Sequence, residues 1–280
     1  MQYGGVFLAI PVFRKETMQT SQRIEALVKR DRWIVIASVV VVVAIAWAYT
    51  IYVAQSNSGM DMSMSMDSGN VRDWTGVDFS LMFVMWAAMM VAMMVPSAAP
   101  MILLFATVNR RRQEQSRPFV ATGVFLSGYL VVWTVFALIA TFGNWGLHQA
   151  SLLTSMMGGS SSGYLGGALL ITAGVFQWSQ LKYRCLTHCR SPLSFLMSDW
   201  KEGTGGAFTM GLSHGRYCLG CCWILMALLF VLGVMNLVWI AALAAFVLAE
   251  KVVPGGERVS KVTGGLLVGW GVWVVLAAAL

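Results

Sequence analysis

The chain has 280 residues, of which 58% are hydrophobic and only 11% charged, with a mean hydropathy of +0.71. That leaves too little polar surface to cover a soluble globule, so the composition indicates an integral membrane protein. The net charge of +7 is accounted for by basic residues flanking the apolar runs and calls for no nucleic-acid partner.

Residues 1–32 read as a basic cytoplasmic lead, with Ser21 capping a short helix that runs into Trp33. No cleavable signal is expected, because Val6–Ile10 is too short for a hydrophobic region and basic residues follow it. Trp33–Ala54 is the first span and its own insertion signal. Its β-branched run Val39–Ile45 suggests strand in water but helix in lipid, where backbone groups must pair within the segment. Residues 55–78 form an external loop that carries Met60, Met62, Met64 and Met66 among Ser, Gly and Asp. Thioethers there have no core to pack into, and they are soft ligands suited to Cu(I) where free thiols would oxidise. Compositional drift is the plainer account of the same pattern.

The second apolar run, Phe79–Thr107, places Met82, Met85, Met89 and Met93 at about 0°, −60°, −20° and 20° on a helix, with Met90 and Met94 beside them. Such a stripe either fills packing gaps or lines a soft-metal path. Pro96 and Pro100 follow it and should break or kink the helix. Arg110, Arg111, Arg112 and Arg117 then mark an inside loop. Phe119–Phe142 is a third span, and His148 beyond it reads as an isolated, solvated histidine. The fourth, Tyr164–Leu181, is rich in Gly and Ala, which would let it approach the fifth closely.

Two blocks then hold all 5 cysteines. The first is Cys185-Leu186-Thr187-His188-Cys189, in a cytoplasmic-side segment 182–216. The second opens the fifth span, Ala207–Val234. There His214, Cys218, Cys221 and Cys222 fall at about 0°, 40°, −20° and 80°, one helical face with three thiols and an imidazole. Asn236 marks the next turn, Leu237–Ala249 a short sixth span, and Val262–Leu280 a seventh. Glu250 at the end of the sixth should pair with Lys251 or Arg216, or support a metal ligand from behind.

The expected fold is therefore all-α, a polytopic membrane helical bundle over residues 33–280. It has about seven transmembrane helices, or six and a hairpin. A seven-span arrangement with the N-terminus inside puts 18 of the 19 basic residues in cytoplasmic segments, leaving only Arg72 outside. Both Cys/His blocks then lie at the reducing side of the membrane, and an odd number of thiols cannot all pair, which favours metal or redox use over structural disulfides.

Three groups of residues carry a resemblance. They are Met89-Met90-x-Ala92-Met93-Met94-x-Pro96; Cys185-x-x-His188-Cys189-Arg190-Ser191-Pro192; and His214-Gly215-x-x-Cys218-x-Gly220-Cys221-Cys222-Trp223 continuing through Gly233-x-Met235-Asn236 to Glu250-Lys251. Over about residues 75–255 the chain resembles the bacterial family of predicted metal-binding integral membrane proteins. The resemblance implies metal binding and membrane embedding and supplies no reaction. Residues 1–32 and the Met60–Met66 loop lie outside it.

The leading expectation is a multi-pass protein of the bacterial cytoplasmic membrane. It would bind a soft metal, copper(I) before zinc, through Cys185, His188, Cys189, His214, Cys218, Cys221 and Cys222. Seven ligands exceed the four of a closed site, which suits ligand exchange. The expected partners are the metal ion, the lipid bilayer and a cytoplasmic or periplasmic metallochaperone. The alternatives are a structural zinc site in a subunit of a larger complex, or a membrane thiol–disulfide oxidoreductase. Against the latter, Cys221 and Cys222 point about 100° apart on a helix, a poor disulfide geometry. No nucleotide-binding, HExxH, G-x-S-x-G or haem-attachment motif is present.

Overall fold

Apolar segments whose backbone groups pair internally give helices throughout. The computed structural model describes residues 33–56, 74–114, 121–150, 152 and 162–280, and no strand occurs among them. The basic lead and Met60, Met62, Met64 and Met66 lie outside the described residues. The helices are α1 (Trp33–Ser56), α2 (Gly76–Glu114), α3 (Thr122–Gln149), α4 (Gly163–Phe176), α5 (Gln180–Arg190), α6 (Pro192–Ser198), α7 (Gly203–Ala227), α8 (Leu229–Leu232), α9 (Leu237–Val252) and α10 (Gly256–Ala279). Five are long and apolar enough to cross a membrane: α1, α2, α3, α7 continued by α8, and α10. That is compatible with a multi-pass membrane protein.

Two of the seven expected spans are shorter. The fourth ends at Phe176 after 14 residues, because the chain turns at 177–179. The Ser179 hydroxyl there accepts from the Lys182 backbone N–H and starts α5 afresh. The sixth, α9, takes in Glu250, Lys251 and Val252 to reach 16 residues, and Asn236 caps it through Val238 N and Trp239 N. Gly203, Gly205 and Gly206 form the first turn of α7, which begins ahead of the fifth apolar run.

Helix α2 forms the core of the bundle. Trp86, Met89, Met90, Met94 and Val95 are fully buried on it, and Met82, Met85 and Met93 nearly so. It stays helical through Pro96 and Pro100, so of the expected break or kink the break does not occur. Beside Pro96 the carbonyl of Met94 accepts from two hydroxyls, Ser97 Oγ at 2.8 Å and Tyr129 OH at 3.0 Å.

Glycines set two close helix pairs. A Cβ at Gly211 would come 2.0 Å from Phe125 O, and one at Gly128 would come 2.2 Å from Phe208 O, so α3 and α7 touch backbone to backbone. In the same way Gly167 and Gly174 of α4 meet Gly271 and Gly264 of α10, with hypothetical Cβ distances of 2.8 Å and 2.6 Å to the opposing carbonyls. The small residues of α4 therefore serve α10, which corrects the expectation that they bring the fourth span against the fifth. Helix α5, with the first Cys/His block, is what packs against α7.

Candidate metal centre

The cysteine face of α7 turns wholly inward: Cys218 and Cys222 are fully buried, and Cys221 and His214 are at most 3% exposed. One turn of helix brings Cys221 Sγ and Cys222 Sγ back onto the Cys218 carbonyl, at 3.1 Å and 2.8 Å. From α5, Cys189 lies near enough to interact with the thiols of both Cys218 and Cys221. Interaction with those two thiols, ahead of burial, holds the Cys189 thiol well above the usual thiol range. Cys185 lies at the rim against Gly220, where an added Cβ would stand 2.7 Å from its Sγ. Burial there, aided by Cys221, raises its pKa. All five cysteines are free thiols.

The remaining walls come from α2, α3 and α9. Lys251 Nζ of α9 donates to Cys218 Sγ at 2.9 Å and to Ser97 Oγ at 2.9 Å, while Tyr129 OH stands 3.1 Å from the same Cys218 sulfur. Together with the two bonds to the Met94 carbonyl, these contacts close a ring from Met94 through Tyr129, Cys218, Lys251 and Ser97 back to Met94. The ring ties α2, α3, α7 and α9 together at one point. On its inner side Cys222 Sγ is 4.0 Å from Met94 Sδ.

Of the two histidines in the expected ligand set, His188 stands apart from this arrangement, while His214 borders it and interacts electrostatically with Cys218 and Cys221. His188 is exposed, with its ring stacked on Tyr217 at 4.3 Å and its Nδ1 2.9 Å from the Arg184 carbonyl. His214 lies among aromatic rings, 5.8 Å from both Tyr129 and Phe195, and its Nδ1 has no hydrogen-bond partner. Among the described residues no group of three or more His, Cys, Asp or Glu side chains is arranged to hold a metal ion. Sulfur and an ammonium dominate the centre instead.

Glu250 does not face the thiols. It accepts from Lys182 Nζ at 2.7 Å and 2.9 Å, with Ser260 Oγ as a further donor and Gln177 Oε1 on the other side of the ammonium. Its partner is thus neither Lys251 nor Arg216, because α5 carries Lys182 into the interior beside α9. His148 also departs from expectation, lying in the last turn of α3 with its ring 5.9 Å from Trp74 rather than in solvent. Cys222, at the edge of the ligand arc when read from helical angles, is as buried as Cys218. Sequence reasoning overlooked Tyr129, Ser97 and Lys251 at this centre. A lone phenol in the apolar third run and a lysine inside the sixth helix were the available signals.

With this geometry in view, comparison with known proteins decides the family. The PpoB2 family, described as a copper chaperone, matches residues 83–274, well over half of the chain. This chain belongs to that family. The matched range takes in Met85, Met89, Met90, Met93 and Met94, both Cys/His blocks and Lys251, while Met82 and the external methionine loop fall outside it. No curated protein and no solved structure matches the chain. Copper handling is the family's activity, and it agrees with a centre rich in sulfur.

Proposed function

We propose that this protein is a polytopic component of the bacterial cytoplasmic membrane, N-terminus inside, that takes up Cu(I) and delivers it to a buried thiol centre made by Cys189, Cys218, Cys221 and Cys222. The observation that carries the reading is the convergence of these thiols, from α5 and α7, on the buried methionine stripe of α2. Thioether and thiolate sulfur are soft donors that select Cu(I) over harder ions. The exposed apolar sides of α1, α3 and α10, including Val40, Ile45, Ile139, Leu266 and Trp273, support embedding in lipid.

In this reading Met60, Met62, Met64 and Met66 collect the ion outside, and the stripe Met82, Met85, Met89 and Met93 leads it inward. The thiols receive it because thiolate holds Cu(I) more tightly than thioether. Cys185 stands at the rim of the thiol centre as an exit ligand towards a cytoplasmic metallochaperone, with His188 on the same exposed face. His214 borders the centre from within its aromatic cage. Glu250 supports the centre by pinning α9 rather than by facing a ligand. A resident structural zinc site fits less well, since His188 lies on the exposed face, stacked on Tyr217.

The reading is tested by cell-associated copper in strains that carry the wild type, a quadruple Met→Leu loop variant at 60, 62, 64 and 66, or Met85→Leu with Met89→Leu. Reduced accumulation in both variants is expected. Unchanged accumulation in both, with the thiols still loaded, would remove the conduit and leave a protein loaded from the cytoplasm.

A further inference from the structure

We infer that Met94 is a direct copper ligand, the thioether that hands the ion from the methionine stripe to Cys222. The inference rests on the copper reading above and adds a ligand to it. Among the seven methionines of α2, Met94 and Met82 have sulfurs in polar contact, and the two differ in kind. Met82 Sδ accepts from Asn144 Nδ2 at 3.6 Å, whereas Met94 Sδ faces a thiol, Cys222, at 4.0 Å. The 12 positions between them correspond to about 18 Å along the helix, so Met94 marks the thiol end of the stripe.

The separation itself fits a shared ion. Two sulfurs bound to one metal at about 2.3 Å stand roughly 3.8 Å apart in a tetrahedral arrangement and roughly 4.0 Å apart in a trigonal one. The observed 4.0 Å lets one small cation bridge both without moving either helix. The backbone of Met94 is also held in place from both sides, because its carbonyl accepts from Ser97 and Tyr129. The other contacts of those two hydroxyls, through Lys251 and directly, end on Cys218. The same ring that aligns α2 with α7 therefore fixes the thioether at the thiols. A methionine serving only to fill space would need no such registration.

The test is Cu(I) competition against a chromophoric chelator on the purified full chain in detergent, comparing wild type, Met94→Leu and Met90→Leu. Met90 is equally buried on the same helix and serves as the packing control. Met94→Leu is expected to weaken Cu(I) binding by at least about tenfold, with Met90→Leu within about twofold of wild type. Equal affinity for Met94→Leu and wild type overturns the inference and leaves the thiol centre standing. Equal weakening in both variants also overturns it, as a packing effect. Absence of Cu(I) binding in the wild type defeats the copper reading itself. Should Met94→Leu fail to fold, Met94→Ile, of similar volume and also without sulfur, decides by the same competition: weakening of at least about tenfold is expected, and affinity equal to wild type overturns the inference.

Discussion

Gly211→Ala should disturb the centre from a distance, by parting α3 from α7. The new Cβ would lie 2.0 Å from Phe125 O and 3.1 Å from Tyr129 N, against an ordinary contact near 3.4 Å. Relief requires the helices to separate by up to about 1.4 Å. Tyr129 OH, now 3.1 Å from Cys218 Sγ, then moves beyond hydrogen-bond reach. Overpacking of this kind costs about 1–3 kcal/mol, and the lost hydrogen bond adds about 0.5–1.5 kcal/mol. Together these amount to roughly 2–4 kcal/mol, or a fall in Tm of roughly 5–15 °C at the 2–4 °C per kcal/mol typical of larger domains. The assay is thermal unfolding in detergent, with Gly123→Ala and Gly205→Ala as controls. Those glycines lie on the same two helices with nothing within 4 Å of an added Cβ. The controls should be neutral or slightly stabilised, since alanine favours helix by about 0.5–1 kcal/mol. A Gly211→Ala protein that unfolds within about 2 °C of wild type would refute the close-contact argument.

Lys182→Met or Glu250→Leu alone leaves one buried charge unpaired and should cost about 3–5 kcal/mol. The double replacement should cost much less than the sum, as thermal unfolding of all three variants would reveal. Asn236→Ala removes the cap of α9 and should cost about 1 kcal/mol by the same measurement. Arg112→Ala breaks an ion pair with a largely exposed Glu202 and should change stability by no more than about 1 kcal/mol. Reporter fusions at residues 65 and 200 should report opposite sides of the membrane, as the basic-residue asymmetry requires; both on one side would overturn the proposed topology.

Helix content was legible in the sequence because apolar composition leaves helices few competitors, and the inward face of His214, Cys218, Cys221 and Cys222 followed from a 100° periodicity. Partner choice was not. Periodicity cannot say which helix a glycine faces, so Gly167 and Gly174 were assigned to the wrong neighbour. It also could not show that Lys182 comes back across the bundle to Glu250, which leaves Lys251 for the thiols. Angular position made Cys222 look peripheral, although the opposing α2 supplies Met94 on that side and buries it. The surroundings of the histidines, Tyr217 for His188 and three aromatic rings for His214, were not legible because they come largely from other elements.

The central claim, a copper-binding centre built from the half-buried Cys189 of α5 and the buried thiols of α7, is tested most directly by the copper content of the purified full chain after loading with Cu(I) under reducing conditions. The comparison is wild type against Cys189→Ser, Cys218→Ser and Cys185→Ser. The account predicts bound copper in the wild type, its loss in the first two variants and its retention with Cys185→Ser. Copper content unchanged by Cys218→Ser and Cys189→Ser would contradict it.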